Sequence, residues 1–168
     1  MPEKKEAPKD TIVVLADVSG SMEEIDGGSR ERKTRFQLLK EALAQLPSSV
    51  KIIAFDDRVY EVASAGSVVL KGGGTSLHLA IEAAARHSPV RTVIISDGEP
   101  ENENLAKLAV DKITGIVDVV YCGSPTNENA KRFLESLARA GGGGFHKTGD
   151  QIDVAKQLPA VIAGLLGK

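Results

Sequence analysis

Oxygen-bearing side chains are concentrated in three short segments of this sequence. The first segment, Asp17-Val18-Ser19-Gly20-Ser21, places one carboxylate and two hydroxyls at alternate positions, and the glycine between the hydroxyls permits a sharp turn. A loop folded in this way can point all three oxygens to one side. The second segment carries Thr75 after the glycines at 72–74, and the third is the pair Asp97-Gly98. The side chains that could share one site are Asp17, Ser19, Ser21, Thr75 and Asp97.

These side chains offer oxygen and neither nitrogen nor sulfur, which is the ligand set of a hard cation. Mg²⁺, Mn²⁺ and Ca²⁺ fit such a set, and the small number of carboxylates favours Mg²⁺. The three histidines and the one cysteine are too widely separated for a zinc motif. Mg²⁺ takes six ligands and ordinarily keeps some waters, so an exchangeable position can accept a carboxylate from another molecule.

Each segment alone has a simpler interpretation. Ser19 and Ser21 can be turn formers, Thr75 can cap a helix, and Asp97-Gly98 can be an ordinary turn. Asp17 and Asp97 each follow a strand-like run directly, however. In an open α/β sheet, ligands bind beyond the carboxyl ends of the strands, where the winding direction reverses. A shared site explains the coincidence better than three unrelated turns.

Apolar runs alternate with helical periodicity along the chain, which predicts an α/β fold. The apolar runs predict strands at 11–16, 50–55, 58–62, 91–96, 116–122 and around 145–147. Apolar spacing predicts helices at 36–46, 80–87, 105–113, 130–138 and 158–165. Helical crossovers imply a doubly wound, Rossmann-like, mostly parallel sheet with helices on both faces. The turn-prone pair Asp56-Asp57 predicts a hairpin, which makes its second strand antiparallel.

Three local features carry expectations of their own. The third helix is predicted from the spacing of its apolar residues, Leu105, Leu108, Ala109 and Ile113. The glycines at 141–144 are expected to end a helix and to form a flexible link. The basic group Arg30, Arg32, Lys33 and Arg35 is expected to be a solvated surface.

Length and composition limit the class of protein. The 168 residues favour one domain, at 11–168, after a tail at 1–10 with the composition of a disordered segment. The net charge of −2 gives no electrostatic case for nucleic acid. No signal-peptide pattern and no run of ~18 apolar residues are present, so we expect a soluble, cytoplasmic protein that binds no membrane. Cys122, in an apolar run, is expected to be a buried small hydrophobe.

In order and rough spacing, Asp17-Val18-Ser19-Gly20-Ser21, Thr75 and Asp97-Gly98 resemble the metal-ion-dependent adhesion site of von Willebrand factor type A domains. The resemblance covers about residues 11–166 and implies a six-stranded sheet with one antiparallel edge strand. It also implies that Ser19, Ser21 and Thr75 bind the metal through their hydroxyls. Asp17 and Asp97 would bind directly or through water.

The same resemblance implies a function. The chain looks like the compact stand-alone domains of microbes or their phages, which act as adaptors in assemblies, some alongside ATPases. We therefore expect a metal-dependent protein-binding module, not an enzyme, in which a Glu or Asp of a protein partner completes the coordination of Mg²⁺.

Two rivals remain open. A metal-dependent hydrolase or phosphoryl-transfer enzyme would also place an aspartate after the first strand. Such enzymes usually carry a second Asp two residues later, where this sequence has Ser19, and Lys71 is the one candidate phosphate-holding lysine. Alternatively, the partner binds away from the metal. The acidic residues Glu23, Glu24, Asp26, Glu99, Glu101 and Glu103 would repel an acidic partner at long range, so its acidic residue is expected to be flanked by basic ones.

Overall fold

The computed structural model describes residues 11–23, 34–47, 49–98, 102–124 and 126–147. Six strands form one sheet: β1 (Ile12–Asp17), β2 (Lys51–Phe55), β3 (Val59–Val62), β4 (Arg91–Ser96), β5 (Ile116–Tyr121) and β6 (Gly142–Lys147). The described helices are α1 (Arg35–Leu43), α2 (Leu77–Ala85), α3 (Glu103–Lys112) and α4 (Glu128–Ala140). Short 3₁₀ turns lie at Gly20–Glu23 and Ala65–Ser67.

The strand order is β3-β2-β1-β4-β5-β6, and every neighbouring pair is parallel except β2 with β3. The predicted α/β sheet with one antiparallel edge strand is therefore confirmed. The chain adds β2 on one side of β1 and later adds β4 on the other side. The winding direction thus reverses between β1 and β4. Asp17 ends β1 and Asp97 follows β4, so both lie at this reversal.

The two faces of the sheet bury alternate residues of each strand, as the period of two requires. Along β1, Val13 and Leu15 pack in the core that contains α2, α3 and α4, whereas Val14 and Ala16 pack in the core that contains α1. Helices therefore cover both faces, as predicted. Cys122 is buried in the α1 core, which confirms its interpretation as a small hydrophobe.

The helix termini carry the expected capping chemistry. Thr34 caps α1 by accepting from the backbone nitrogen of Gln37, and the Gln37 side chain accepts in return from the Thr34 backbone. α4 is strongly amphipathic and ends before Gly141. It buries the residues whose spacing predicted it: Ala130, Phe133, Leu134, Leu137 and Ala138.

The buried face of α3 includes only part of the apolar set that predicted this helix. Leu105 and Leu108 are 41% and 55% exposed, whereas Ala106, Ala109 and Val110 are buried. α3 packs against α2, which buries three alanines of its own. Small residues on both helices allow a close approach, so the larger leucines of α3 face outward.

The expected flexible link at 141–144 is wrong. Gly141 caps α4, and β6 already begins at Gly142. A Cβ atom on Gly143 would lie 2.2 Å from the carbonyl oxygen of Val117 on β5. Gly143 therefore lets an edge strand approach its neighbour closely, which requires the absence of a side chain and not flexibility.

The predicted tail at 1–10 and the predicted helix at 158–165 lie outside the described residues. Among the helices that the structure describes, none is long and apolar enough to cross a membrane. The cytoplasmic location stays a prediction from the sequence.

Candidate metal centre

The loop after β1 is hydrogen-bonded to the carboxylate of Asp17, the last residue of that strand. Asp17 Oδ1 accepts a hydrogen bond from the backbone nitrogen of Ser19 at 2.9 Å and another from Ser19 Oγ at 2.5 Å. Both residues are buried. The 3₁₀ turn that begins at Gly20 then brings Ser21 Oγ to 3.3 Å from Ser19 Oγ. The three oxygen-bearing side chains of the first segment thus lie together, as the sequence predicted.

The third segment joins this cluster. Ser21 Oγ donates a hydrogen bond to Asp97 Oδ2. Ser96 Oγ donates to Asp17 Oδ2 at 2.8 Å and accepts from the backbone nitrogen of Gly98 at 3.0 Å. Hydrogen bonds therefore join Ser19 to Asp17 and Ser21 to Asp97, and the 3.3 Å contact between the two serine hydroxyl oxygens brings these four of the five candidate ligands together. Ser96 was not predicted as a site residue, although it ends the strand that precedes Asp97.

The segment before α2 is attached to the first loop by its backbone. The nitrogens of Lys71 and Gly72 both donate to the Val18 carbonyl oxygen at 3.1 Å, and the Gly20 nitrogen donates to the Gly73 carbonyl oxygen at 3.0 Å. Thr75 follows two residues later with a buried side chain. The structure thus brings the Thr75 segment onto the first loop. The Thr75 hydroxyl takes no part in the hydrogen bonds among Asp17, Ser19, Ser21, Ser96 and Asp97.

The helix-cap alternative for this segment is not what the structure shows. Ser76, not Thr75, occupies the N-cap position of α2, and its side chain makes no capping hydrogen bond. The backbone nitrogen of Ser76 instead donates to the Asp56 carbonyl oxygen at 2.7 Å. The hydroxyl of Thr75 is therefore not used to begin the helix.

The structure explains the glycine at position 20 differently from the sequence, which predicted a sharp turn. Its backbone lies outside the left-handed region, so no sharp-turn conformation demands glycine there. A Cβ atom at this position would lie 3.1 Å from the Gly72 carbonyl oxygen. Glycine suits position 20 because the two loops approach each other closely there, and any side chain would require the backbone at Gly72 to shift.

Arg35 belongs to the cluster, and the expectation that it is solvated is wrong. Its side chain is 8% exposed, and its Nη1 lies 3.1 Å from Asp97 Oδ2 and 3.4 Å from the Ser21 carbonyl oxygen. As the first residue of α1, it projects from the helix terminus that Thr34 caps. Nothing in its local sequence distinguishes it from Arg30, Arg32 and Lys33, which lie outside the described residues.

The electrostatics of the cluster penalise a second negative charge. Burial, together with the neighbouring Asp97 carboxylate, raises the pKa of Asp17 to about 7, while hydrogen bonds from Ser19 and Ser96 oppose the rise. A cation near Asp17 would counter both causes of the raised pKa. Its positive charge would stabilise the ionised carboxylate, which burial and the neighbouring Asp97 carboxylate both destabilise.

One carboxylate oxygen is left over. Asp97 Oδ1 is buried and has no hydrogen-bond partner among the described residues. Within the same ranges, no three His, Cys, Asp or Glu side chains form a group that could hold a metal ion, so the side-chain oxygen donors of the cluster are two carboxylates and several hydroxyls. A buried carboxylate oxygen without a donor is costly unless a cation or proton reaches it. An oxygen-rich donor set of this kind fits a hard divalent ion.

No family model matches this sequence, and no curated protein matches it. The class that the fold and the site define is an α/β domain with a buried cluster of hydroxyls and carboxylates at the reversal point of its sheet. A more specific function has to be inferred from the residues of the site.

Proposed function

We propose that this protein is a divalent-metal-dependent protein-binding module of the von Willebrand factor type A kind. In this proposal Mg²⁺, or Mn²⁺ or Ca²⁺ in its place, is held by Asp17, Ser19, Ser21, Thr75 and Asp97. A Glu or Asp of a protein partner completes its coordination. The observation that carries the proposal is the buried Asp97 Oδ1, which has no hydrogen-bond partner in the described part of the chain and belongs to the carboxylate that accepts from Ser21 Oγ.

The direction of the hydrogen bonds supports metal binding by the hydroxyls. Ser19 Oγ donates a hydrogen bond to Asp17, and Ser21 Oγ donates one to Asp97. A hydroxyl that donates in this way keeps its lone pairs for a cation. The carboxylates thereby orient the serines, much as outer hydrogen-bond partners orient the ligands of other metal sites.

The two carboxylates have different roles in this proposal. Both oxygens of Asp17 already accept hydrogen bonds from Ser19 and Ser96, so Asp17 acts through those hydroxyls or through water. Asp97 uses Oδ2 for Ser21 and Arg35 and keeps Oδ1 for the ion. The sequence left open which of the two binds directly, and the hydrogen bonds favour Asp97.

The charge of the cluster favours an acidic ligand once the ion is bound. With both carboxylates ionised, which a bound cation favours, the two carboxylates, the Arg35 guanidinium and a divalent ion sum to one positive charge. A buried positive charge attracts a carboxylate strongly, because the interior screens charge less than water does. The partner is therefore a protein with an exposed Glu or Asp, and an assembly that contains an ATPase is the setting that the resemblance implies.

The rival function, phosphoryl transfer or hydrolysis, has less support. The position two residues after Asp17 holds Ser19, whose hydroxyl donates to Asp17. An aspartyl-phosphate mechanism needs an acid/base group there. The Asp17 oxygens that would attack a phosphoryl group are occupied by three hydrogen bonds.

A titration with acetate tests the proposed ligand class before the partner is known. Mn²⁺-loaded protein enhances water-proton relaxation through its exchangeable waters. Acetate, and a Glu-containing peptide, should reduce this enhancement, whereas a matched Gln-containing peptide should leave it unchanged. Equal responses to the Glu and Gln peptides would contradict recognition of an acidic group by the ion.

A further inference from the structure

A third buried aspartate, outside the proposed ligand set, contacts the loop that carries Thr75. Asp56 directly follows β2 and is 3% exposed. From the sequence it was interpreted only as part of a hairpin turn. Its carboxylate accepts three hydrogen bonds: from the Arg58 nitrogen at 2.9 Å and Tyr60 Oη at 3.1 Å on Oδ1, and from the Gly73 nitrogen at 3.2 Å on Oδ2.

Asp56 holds the loop on both sides of Thr75. Its side chain accepts from the Gly73 nitrogen at 3.2 Å, and its carbonyl oxygen accepts from the Ser76 nitrogen at 2.7 Å. The two anchor points enclose Gly74 and Thr75. With both ends attached to one residue, the backbone at Thr75 has little freedom to move away from the cluster.

The same loop residue connects Asp56 to the first loop. Gly73 donates its N–H to Asp56 and accepts the N–H of Gly20 on its carbonyl oxygen at 3.0 Å. Gly20 lies between Ser19 and Ser21. A path of direct hydrogen bonds therefore runs from the end of β2 to the segment that carries two proposed ligands.

We propose that Asp56 is a positioning residue of the metal site, which sets the place of Thr75 relative to Ser19 and Ser21 without touching the ion. This inference rests on the proposed metal-binding function. It adds to the site Asp56, a residue of the turn that joins β2 to β3.

The chemistry of the position requires a carboxylate. Three N–H or O–H donors converge on two oxygens, and an ionised carboxylate is acceptor-only. Asparagine has one acceptor oxygen and an NH₂ group that would face a donor. In Asp56→Asn the one oxygen satisfies more donors when it faces Arg58 and Tyr60, so the NH₂ group faces the Gly73 N–H and the Gly73 contact is lost.

The first test compares Mn²⁺ affinity in matched variants. Asp56→Asn should weaken Mn²⁺ binding about 10- to 100-fold, the usual cost of removing a residue that orients metal ligands. Tyr60→Phe removes one hydrogen bond to Asp56 Oδ1 but keeps the ring over which Lys71 Nζ lies, 4.5 Å from its centre. It should change the affinity less than about twofold, since the Gly73 contact is intact.

A second variant reaches the same contact from the other side. A Cβ atom on Gly73 would lie 2.7 Å from Asp56 Oδ2, so Gly73→Ala forces the loop and the carboxylate apart. It should weaken Mn²⁺ binding in the same range as Asp56→Asn. Either variant with wild-type affinity and an intact fold would overturn the inference.

A double-variant cycle shows whether Asp56 acts through Thr75. Asp56→Asn should cost little further affinity when Thr75→Ala is already present, because the ligand it positions is gone. Amide hydrogen exchange at Gly73 and Ser76 should also accelerate in Asp56→Asn. Additive losses of affinity would contradict action through Thr75.

The outcomes separate this inference from the function on which it rests. Both the inference and the proposed function would be overturned if the wild type bound no Mn²⁺ at the cluster. The same holds if Asp17→Ala bound Mn²⁺ as tightly as the wild type. Binding that needs Asp17 but is unchanged in Asp56→Asn and Gly73→Ala overturns only the positioning role.

Discussion

Asp118 and Asp97 are buried carboxylates that each lie beside an arginine, yet among the described residues only Asp118 has a hydrogen-bond partner on both oxygens. Asp118, within β5, accepts from the Gly144 nitrogen at 2.8 Å on Oδ1 and pairs with Arg91 through Oδ2. Asp97 pairs with Arg35 and Ser21 through Oδ2, and its Oδ1 has no partner in the described part of the chain.

The difference separates a structural carboxylate from one that can accept an external group. Asp118 joins β4, β5 and β6 through partners in its own chain, so nothing from outside is needed. Asp97 lies at the reversal point of the sheet, near two hydroxyls that donate hydrogen bonds to carboxylates. The comparison predicts that metal affinity depends on Asp97 and not on Asp118.

The largest effect is expected from Asp97→Ala. Loss of Asp97 Oδ1, the oxygen without a partner among the described residues, should reduce Mn²⁺ affinity by about 100-fold or more. This loss exceeds the range of about 10- to 100-fold that is usual for residues that only orient ligands. Wild-type protein should gain about 2.7 kcal/mol of stability at a metal concentration 100 times its Kd, whereas the variant should gain almost none at that concentration. Thermal unfolding with and without Mn²⁺ measures this. Equal stabilisation of both proteins would contradict the comparison.

The second effect is a pH dependence that arises from Asp17. Because its pKa is raised to about 7 in the metal-free protein, protons compete with the ion below that pH. Mn²⁺ affinity should rise about tenfold from pH 6 to pH 8 and level off above. Isothermal titration at several pH values checks this. Asp17→Asn, which cannot titrate, should show no such rise if it retains measurable affinity.

The same raised pKa affects stability without metal. The ordinary value is 3.8, so the folded state holds a proton that the unfolded state releases at lower pH. The stabilisation from this proton is present below the ordinary value and is lost as pH rises through about 7. Urea unfolding of metal-free protein should therefore show this contribution decline between about pH 4 and pH 7, and Asp17→Asn should not show it.

A smaller effect, of opposite sign, is expected from Arg35→Gln. The guanidinium lies 3.1 Å from Asp97 Oδ2 and repels a cation at the same carboxylate. Removing this charge should tighten Mn²⁺ binding by about tenfold, less than the full charge interaction because solvent and neighbouring dipoles screen it. Arg91→Gln is the matched control at the other arginine–aspartate pair and should leave affinity unchanged. Weaker binding by Arg35→Gln would mean that its contact with the Ser21 carbonyl matters more than its charge.

The smallest effect on metal binding is expected from Asp118→Asn. It should cost about 1–3 kcal/mol of stability, because Arg91 loses a charged partner at a mostly buried position. Mn²⁺ affinity should stay within about twofold of wild type. Urea unfolding gives the first quantity and Mn²⁺ titration the second. A large loss of affinity would show that general destabilisation, and not the site, governs binding.

The sheet and the main cluster were predictable because they depend on local pattern and on a general rule of topology. Runs such as Thr92-Val93-Ile94-Ile95 predict buried strands, and the carboxyl ends of parallel strands lie at one edge. Asp17 and Asp97, 80 positions apart in sequence, were therefore expected to meet.

What the sequence did not reveal depends on pairings between distant residues. Arg35 lies 62 positions from Asp97, and Asp56 lies 17 positions from Gly73. Neither residue stands in a pattern that separates it from an ordinary surface arginine or a turn-forming aspartate. The exposed Leu108 shows the same limit, because spacing predicts a helix but not which of its faces finds a close-packing neighbour.

The most direct test is an amide NMR titration of metal-stripped protein with Mn²⁺, in parallel with Asp17→Ala. Paramagnetic broadening locates even weak binding. We predict loss of signals clustered at residues 19–22, 74–76 and 97–98 in the wild type, and no such cluster in the variant. Diffuse broadening over acidic surface residues, unchanged in the variant, would contradict a metal site formed by the three loops.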